Sequence, residues 1–323
     1  MTTTEATITN ADPPFNDPEN SDLILRSSDN VDFYVHKSNL AGVSPVFRDM
    51  FEVGQGMQIL HDTIPVVQLS EDGNGLYKFL MWCDLSLDPA QTPLTIDDIA
   101  FILSISDKYM MNGVASHVGI LLHQYIEKEP LMVYALAYHG RNSWGNEAMR
   151  AAAWQMLKFG KLRFTPSTLK ALKGLPATAL SHLIRYQEVC GAAAQPLVAD
   201  MTWLKGTFPA PWAYGRKLKV DCTCPFGFYR DDWVYICPWW LHLMKRIGDA
   251  LFESPCVETL LVCASKDHPA KVSGVNLTDE ISCNACKIGM DTSAVSEGML
   301  KFQAELAGMV EQVTRQVSLD IDP

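Results

Sequence analysis

Thiolates are the groups in this 323-residue sequence best suited to chemistry, and they are unevenly placed: seven of the nine cysteines fall between Cys222 and Cys286. They include two close pairs, Cys222-x-Cys224 and Cys283-x-x-Cys286. Zinc takes four soft ligands in a tetrahedron, and two short pairs brought together by a fold supply them. Four thiolates fill the coordination sphere, so such a site is structural and leaves no position for an activated water. Cys222, Cys224, Cys283 and Cys286 are therefore the expected ligands of one structural zinc, with Cys237, Cys256, Cys263 and His268 as substitutes if one is displaced. The C-x-C spacing and the 58-residue gap between the pairs are unlike those of zinc fingers. The competing expectation is that these are small buried apolar residues, the usual state of a free thiol. Cys83 and Cys190 are assigned to that second group. Disulfides are not expected, because no secretory signal accompanies the cysteines.

The elements that would hold the pairs can be read around them. Leu197 to Asp221 is rich in Pro, Gly and Trp and reads as a linker or extended cover. Between the pairs lies Cys237-Pro238-Trp239-Trp240-Leu241-His242-Leu243-Met244 with Ile247 and Leu251, the pattern of an amphipathic helix led by two tryptophans. A last helix repeats Met299, Phe302, Leu306, Met309, Val313 and Val317 at steps of three and four. It is too short for a free coiled coil and should pack back on the Trp-rich helix. Residues 196–323 are thus expected to form a small Cys/Trp-rich module with a terminal helix.

Upstream, Asp22 to Phe51 sets out a fixed order of elements. Leu23 to Ser27 is β-rich, Ser28-Asp29-Asn30 has turn chemistry, and Val31, Phe33 and Val35 alternate with Asp32 and Tyr34, which predicts a hairpin with one buried face. Ser38 is expected to cap a short helix through Val43, and Ser44-Pro45 to cap a second whose apolar face is Val46, Phe47, Met50 and Phe51.

This order resembles the start of the BTB/POZ domain, with its D-x-x-L strand, F-x-x-H-[KR]-x-x-L-A step and S-x-x-F-x-x-M-F helix. Here the matching positions are Asp22 and Leu25, then Phe33, His36, Lys37, Leu40 and Ala41, then Ser44, Phe47, Met50 and Phe51. The segments that follow fit the resemblance: Thr63 to Leu69 as an edge or closing strand, then helices over Leu76–Leu87, Thr95–Met111 and Asn112–Ile126. Thr95 and Asp98 make a capping box, and Val114, Val118, Leu121, Leu122 and Tyr125 line one face of the last of these helices. The stretch Met81 to Asp88 departs from the family in lacking a Tyr-x-Tyr-x-Gly ending. Leu131 to Cys190 stays helical and resembles the BACK-type extension that follows many BTB domains. The combination with a Cys/Trp tail is similar to BTB proteins of filamentous and mushroom-forming fungi. His139 and His182 lie in these helices and are expected to be structural or surface histidines with satisfied rings.

The expected fold class is therefore α+β: a BTB/POZ domain, a small sheet with helical hairpins, over residues 21–128, then a mainly helical BACK-like extension over 129–195, and the Cys/Trp module. Residues 1–20 carry neither the basic nor the apolar region of a signal peptide and are expected to be a disordered, acidic tail. No apolar run approaches the roughly 20 residues that span a bilayer, so a soluble protein of the cytoplasm or nucleus is expected.

Net charge is −11, and residues 1–32 hold seven Asp or Glu against Arg26 alone, a balance that repels nucleic acid. The reverse bias runs from Ala148 to Gln187, where Arg150, Lys158, Lys161, Arg163, Lys170, Lys173 and Arg185 meet no acidic residue. A solvated basic face is the expectation, with a dock for an acidic partner or phosphate backbone as the alternative.

No G-x-S-x-G, H-E-x-x-H or phosphate-loop motif is present, and Gly54-x-Gly56 lacks the third glycine of a dinucleotide turn. An enzyme is not expected, nor any cofactor beyond the zinc. The resemblance implies a homodimerising interaction protein and, as for some family members, a substrate adaptor that joins a cullin-based ubiquitin ligase to an unknown protein. The alternative is a BTB-type transcription or chromatin factor touching nucleic acid through the basic stretch or the Cys module. Contact with nucleic acid or a membrane is not expected.

Overall fold

The computed structural model describes residues 7–54, 59–61, 64–84, 86–89, 93–162, 166–200, 227–229, 234–236, 238–261, 271–272, 275–276 and 293–320. They fall into two compact units, residues 1–151 and 152–323.

The first unit is built on a five-stranded sheet. In chain order its strands are β1 (Thr9–Asn10), β2 (Leu23–Arg26), β3 (Val31–Val35), β4 (Ile59–His61) and β5 (Ile64–Gln68), arranged in space as β1-β3-β2-β5-β4. The β2–β3 hairpin forms as the turn chemistry predicts, with Asn30 in the left-handed region at φ 62°, a conformation Asn tolerates. Its register sets Leu25 opposite Phe33 and Arg26 opposite Asp32.

Both faces of the hairpin are covered, where one was expected. Leu23, Leu25, Phe33 and Val35 are buried on one face, and Ile24, Asp32 and Tyr34 on the other, where Ile24 and Tyr34 cluster with Val66 and Ile64. Asp32 is fully buried and tolerated because Arg26 grips it with two bonds, Nε to Oδ1 at 2.6 Å and Nη2 to Oδ2 at 2.8 Å.

Part of the cover comes from residues 7–20, which are not the disordered tail expected of them. β1 pairs parallel to β3, the Ala11 amide donates to the Asp32 carbonyl, and the Tyr34 amide donates to the Phe15 carbonyl. Phe15 is buried against Phe33 and Tyr77, and the Tyr77 hydroxyl donates to the Pro13 carbonyl at 2.7 Å. The segment holds because a single aromatic anchor and shared backbone bonds outweigh its polar composition. β5, within the stretch expected as an edge or closing strand, is not at the edge: β4 pairs antiparallel to it on its outer side.

The helices start largely where their caps predict. α1 (Lys37–Val43) begins one residue before Ser38, because the Asp22 carboxylate accepts the Lys37 amide at 2.7 Å and replaces a local cap. α2 (Pro45–Val53) is capped by Ser44 with Pro45 at its first position. Of its expected apolar face only Phe47 is fully buried, stacked on Tyr109. Next come α3 (Gly73–Cys83) and α4 (Ile96–Lys108), the latter starting at the Thr95/Asp98 capping box. α5 (Asn112–Ile120) buries Val114 and Val118 and tightens into a 3₁₀ turn that buries Leu122. α6 (Pro130–His139) follows, with Pro130 at its first position. The dividing point of the two units falls inside α7 (Gly145–Met156).

The second unit contains α8 (Pro166–Leu172), α9 (Ala177–Ala194), α10 (Pro196–Asp200), the short strands β6 (Gly227–Tyr229) and β7 (Val234–Ile236), α11 (Pro238–Glu253), α12 (Val257–Leu261), the strands β8 (Lys271–Val272) and β9 (Val275–Asn276), and α13 (Ser293–Gln316). α9 is its axis: α10, α11 and α13 all pack on it. The α9–α11 approach is close enough that a Cβ at Gly191 would sit 2.3 Å from the Phe252 carbonyl oxygen. α11 buries Leu243, Met244, Ile247 and Leu251, as its pattern predicts.

α13 departs from expectation in stripe and neighbour. Its buried residues are Phe302, Gln303, Leu306, Val310 and Thr314, so beyond Leu306 the stripe advances by fours and leaves Met309 and Val313 half-buried. It packs chiefly on α9 and α12, where the Trp-led helix α11 was expected. A ridge at four-residue spacing drifts around the helix and suits a crossing contact with two neighbours, whereas a heptad seam suits one parallel partner.

Candidate interaction surface

Cys222, Cys224, Cys283 and Cys286 lie outside the described residues, as do Cys237, Cys263 and His268. Among the described residues no three or more His, Cys, Asp or Glu side chains converge as a metal site. Cys256 is buried beside the Thr259 hydroxyl, 3.3 Å from its sulfur. Cys83 and Cys190 are buried free thiols, as assigned. Burial pushes the Cys83 thiol far up and that of Cys190 up to about 11, so both stay protonated and unreactive at neutral pH. His139 is exposed, while His182 is half-buried and its Nδ1 is buried without a hydrogen-bond partner among the described residues, where a satisfied ring was expected.

The basic stretch is partly neutralised within the second unit. Lys158 pairs with Glu258 at 2.7 Å, Lys161 with Glu253 at 2.6 Å, and Arg185 lies 3.8 Å from Asp320. Burial would raise the Glu258 carboxyl, but the Lys158 ammonium, the Glu258 backbone amide and the Cys256 thiol together hold the group below the usual range. The Trp154 ring is flanked by two cations, Lys158 at 5.8 Å and Arg315 at 5.2 Å. No acidic residue occurs within the stretch itself, so only the fold could supply these partners.

The first unit concentrates the acidity. Residues 1–151 hold twenty Asp or Glu and eight Lys or Arg, a net charge of −12 against −11 for the whole chain. Its surface also carries apolar side chains: Val53 is 68% exposed, Met110 59% and Ile120 63%. Val53 ends α2, and Met110 sits at the α4–α5 corner with φ 55°, a rare conformation for a non-glycine residue. Between the N-terminal arm, the end of β3, α1 and the end of α3 lies a cleft of about 130 Å³, lined among others by Phe15, Asp17, His36 and Asp84.

The family model of the BTB/POZ domain matches residues 12–125, and this part of the chain has the BTB/POZ fold, a protein-interaction fold; the described residues that follow it are mostly helical. The match starts inside the arm that anchors at Phe15. No curated protein matches the chain. No helix among the described residues is long and apolar enough to cross a membrane.

Proposed function

We propose that the protein is a non-enzymatic adaptor that self-associates through its BTB/POZ domain and holds a second protein with its C-terminal unit. The observation that carries the reading is the BTB/POZ match over residues 12–125. BTB domains commonly self-associate and bind cullins, which makes a cullin-based ubiquitin ligase the proposed assembly and an unidentified protein its substrate. Such a protein would work in the cytoplasm, the nucleus or both. One structural zinc held by Cys222, Cys224, Cys283 and Cys286 belongs to the same proposal, on their spacing alone.

The test is light scattering of the full chain at tens of micromolar, joined to affinity purification with mass spectrometry. The expected mass is twice that of the 35.9 kDa chain, with a cullin among the recovered proteins. A strict monomer removes self-association, and a dimer that recovers no cullin leaves a scaffold in place of a ligase adaptor.

A further inference from the structure

We propose that the cleft in the first unit receives a single lysine or arginine side chain from a partner protein. The proposal rests on reading this domain as an interaction module and narrows the partner to one with an exposed basic segment. At about 130 Å³ the cleft is too small for a drug-sized ligand, which needs about 300 Å³ or more, but it accommodates one long side chain. Its floor is apolar, with Phe15, Leu40 and Leu80 all buried. Its rim carries two carboxylates from different elements, Asp17 on the arm and Asp84 at the C-terminal cap of α3. Lysine and arginine have the matching form, an apolar stem ending in a cation.

Charge settles the choice of occupant. No Lys or Arg lines the cleft, and among the described residues neither carboxylate makes an ion pair. Asp17 accepts from the Asn20 side-chain amide at 2.7 Å and from the Glu19 backbone amide at 3.0 Å. The Asn20 bond first, and the Glu19 amide second, hold its carboxyl below the ordinary range, so it stays ionised. Asp84 is fixed by the Ser86 amide and hydroxyl, 2.9 and 2.7 Å from its Oδ1. Asn20 and Asn39 add neutral hydrogen-bonding groups to the rim. The −12 charge of the unit draws basic segments toward this face, and the carboxylates of the cleft itself would repel the same cleft of another copy without bearing on self-association elsewhere on the domain.

The experiment is an amide NMR titration of the isotopically labelled full chain with N-acetylarginine amide at millimolar concentrations, with N-acetylnorleucine amide and N-acetylglutamate amide as comparisons. Saturable shifts are expected at the Asn20 and Asn39 side-chain amides and at the backbone of Phe15, Asp17 and Asp84, from the arginine probe alone. The Asp17→Asn/Asp84→Asn variant, which removes both carboxylates, should bind at least about tenfold more weakly. Equal binding of the norleucine probe, the absence of saturable shifts at the cleft, or unchanged affinity in the double variant would overturn the proposal. If that variant does not fold, salt decides on the unaltered protein: affinity that does not fall from low to high salt overturns it equally. Light scattering of the same sample reports self-association separately, so a failed cleft and a failed dimer are distinguished.

Discussion

The Ser44 hydroxyl joins two helices far apart in sequence: it donates to the Tyr109 carbonyl at 2.7 Å while accepting from the Phe47 amide at 3.1 Å. One buried oxygen thus caps the start of α2 and satisfies a carbonyl at the end of α4. Ser44→Ala removes the cap and strands that carbonyl, and should cost about 2 to 3 kcal/mol. Urea denaturation of the full chain checks this, and a loss below about 0.5 kcal/mol would mean the Tyr109 carbonyl finds another donor.

Asp98 lies at a similar junction. Its Oδ2 accepts from the Thr95 amide and hydroxyl, and its Oδ1 accepts from Lys78 Nζ of α3 at 2.6 Å. Burial raises its carboxyl, but Lys78 and the Thr95 bonds outweigh that and hold it below the usual range. A lowered folded-state value contributes stability above the unfolded-state value, lost as pH falls through the folded one. Asp98→Asn should therefore cost about 1 to 2 kcal/mol at neutral pH, with the gap closing below about pH 4. Parallel melts across that range are the measurement, and a gap constant with pH would show that the carboxylate charge plays no part.

Gly191→Ala should destabilise the second unit by about 1 to 3 kcal/mol, since the added methyl meets the Phe252 carbonyl at 2.3 Å and forces α9 and α11 apart. Gly42→Ala, whose Cβ meets nothing within 4 Å, is the control. Equal melting of the two variants would show that α9 and α11 do not approach this closely.

The basic stretch should not bind nucleic acid tightly, because Lys158, Lys161 and Arg185 face carboxylates of their own unit and the chain is acidic overall. Fluorescence anisotropy with duplex DNA at low salt should show no submicromolar binding. Tight binding that weakens steeply with salt and is lost in Lys170→Glu/Lys173→Glu would reverse this.

Elemental analysis of freshly purified protein should find about one zinc per chain, and Cys283→Ser/Cys286→Ser should lower metal content and melting temperature together. Cys83→Ser should leave the metal in place. Protein free of metal under non-chelating purification would assign the cysteines to the buried apolar group.

What the sequence determined about this protein is its local chemistry. The Ser28-Asp29-Asn30 turn, the Ser44-Pro45 cap and the Thr95/Asp98 box each involve residues within a few positions of one another, so their geometry follows from residue type and spacing. The same holds for the order of elements that carries the BTB/POZ resemblance. Tertiary structure decided what depends on partners distant in the chain. The start of α1 is set by Asp22, fifteen residues upstream, and the arm at 7–20 is held by Phe15 meeting Phe33 and Tyr77. The basic residues at 158, 161 and 185 acquire carboxylates from 258, 253 and 320, and the turn of the α13 stripe follows from crossing α9 and α12. The acidic cleft was legible only as scattered parts. Asp17 and Asp84 belong to segments with no shared periodicity, and only the packing of the arm against α1 and α3 sets them around one apolar floor. Short-range hydrogen bonding repeats with residue type, whereas the pairing of distant surfaces depends on the whole arrangement of packed elements.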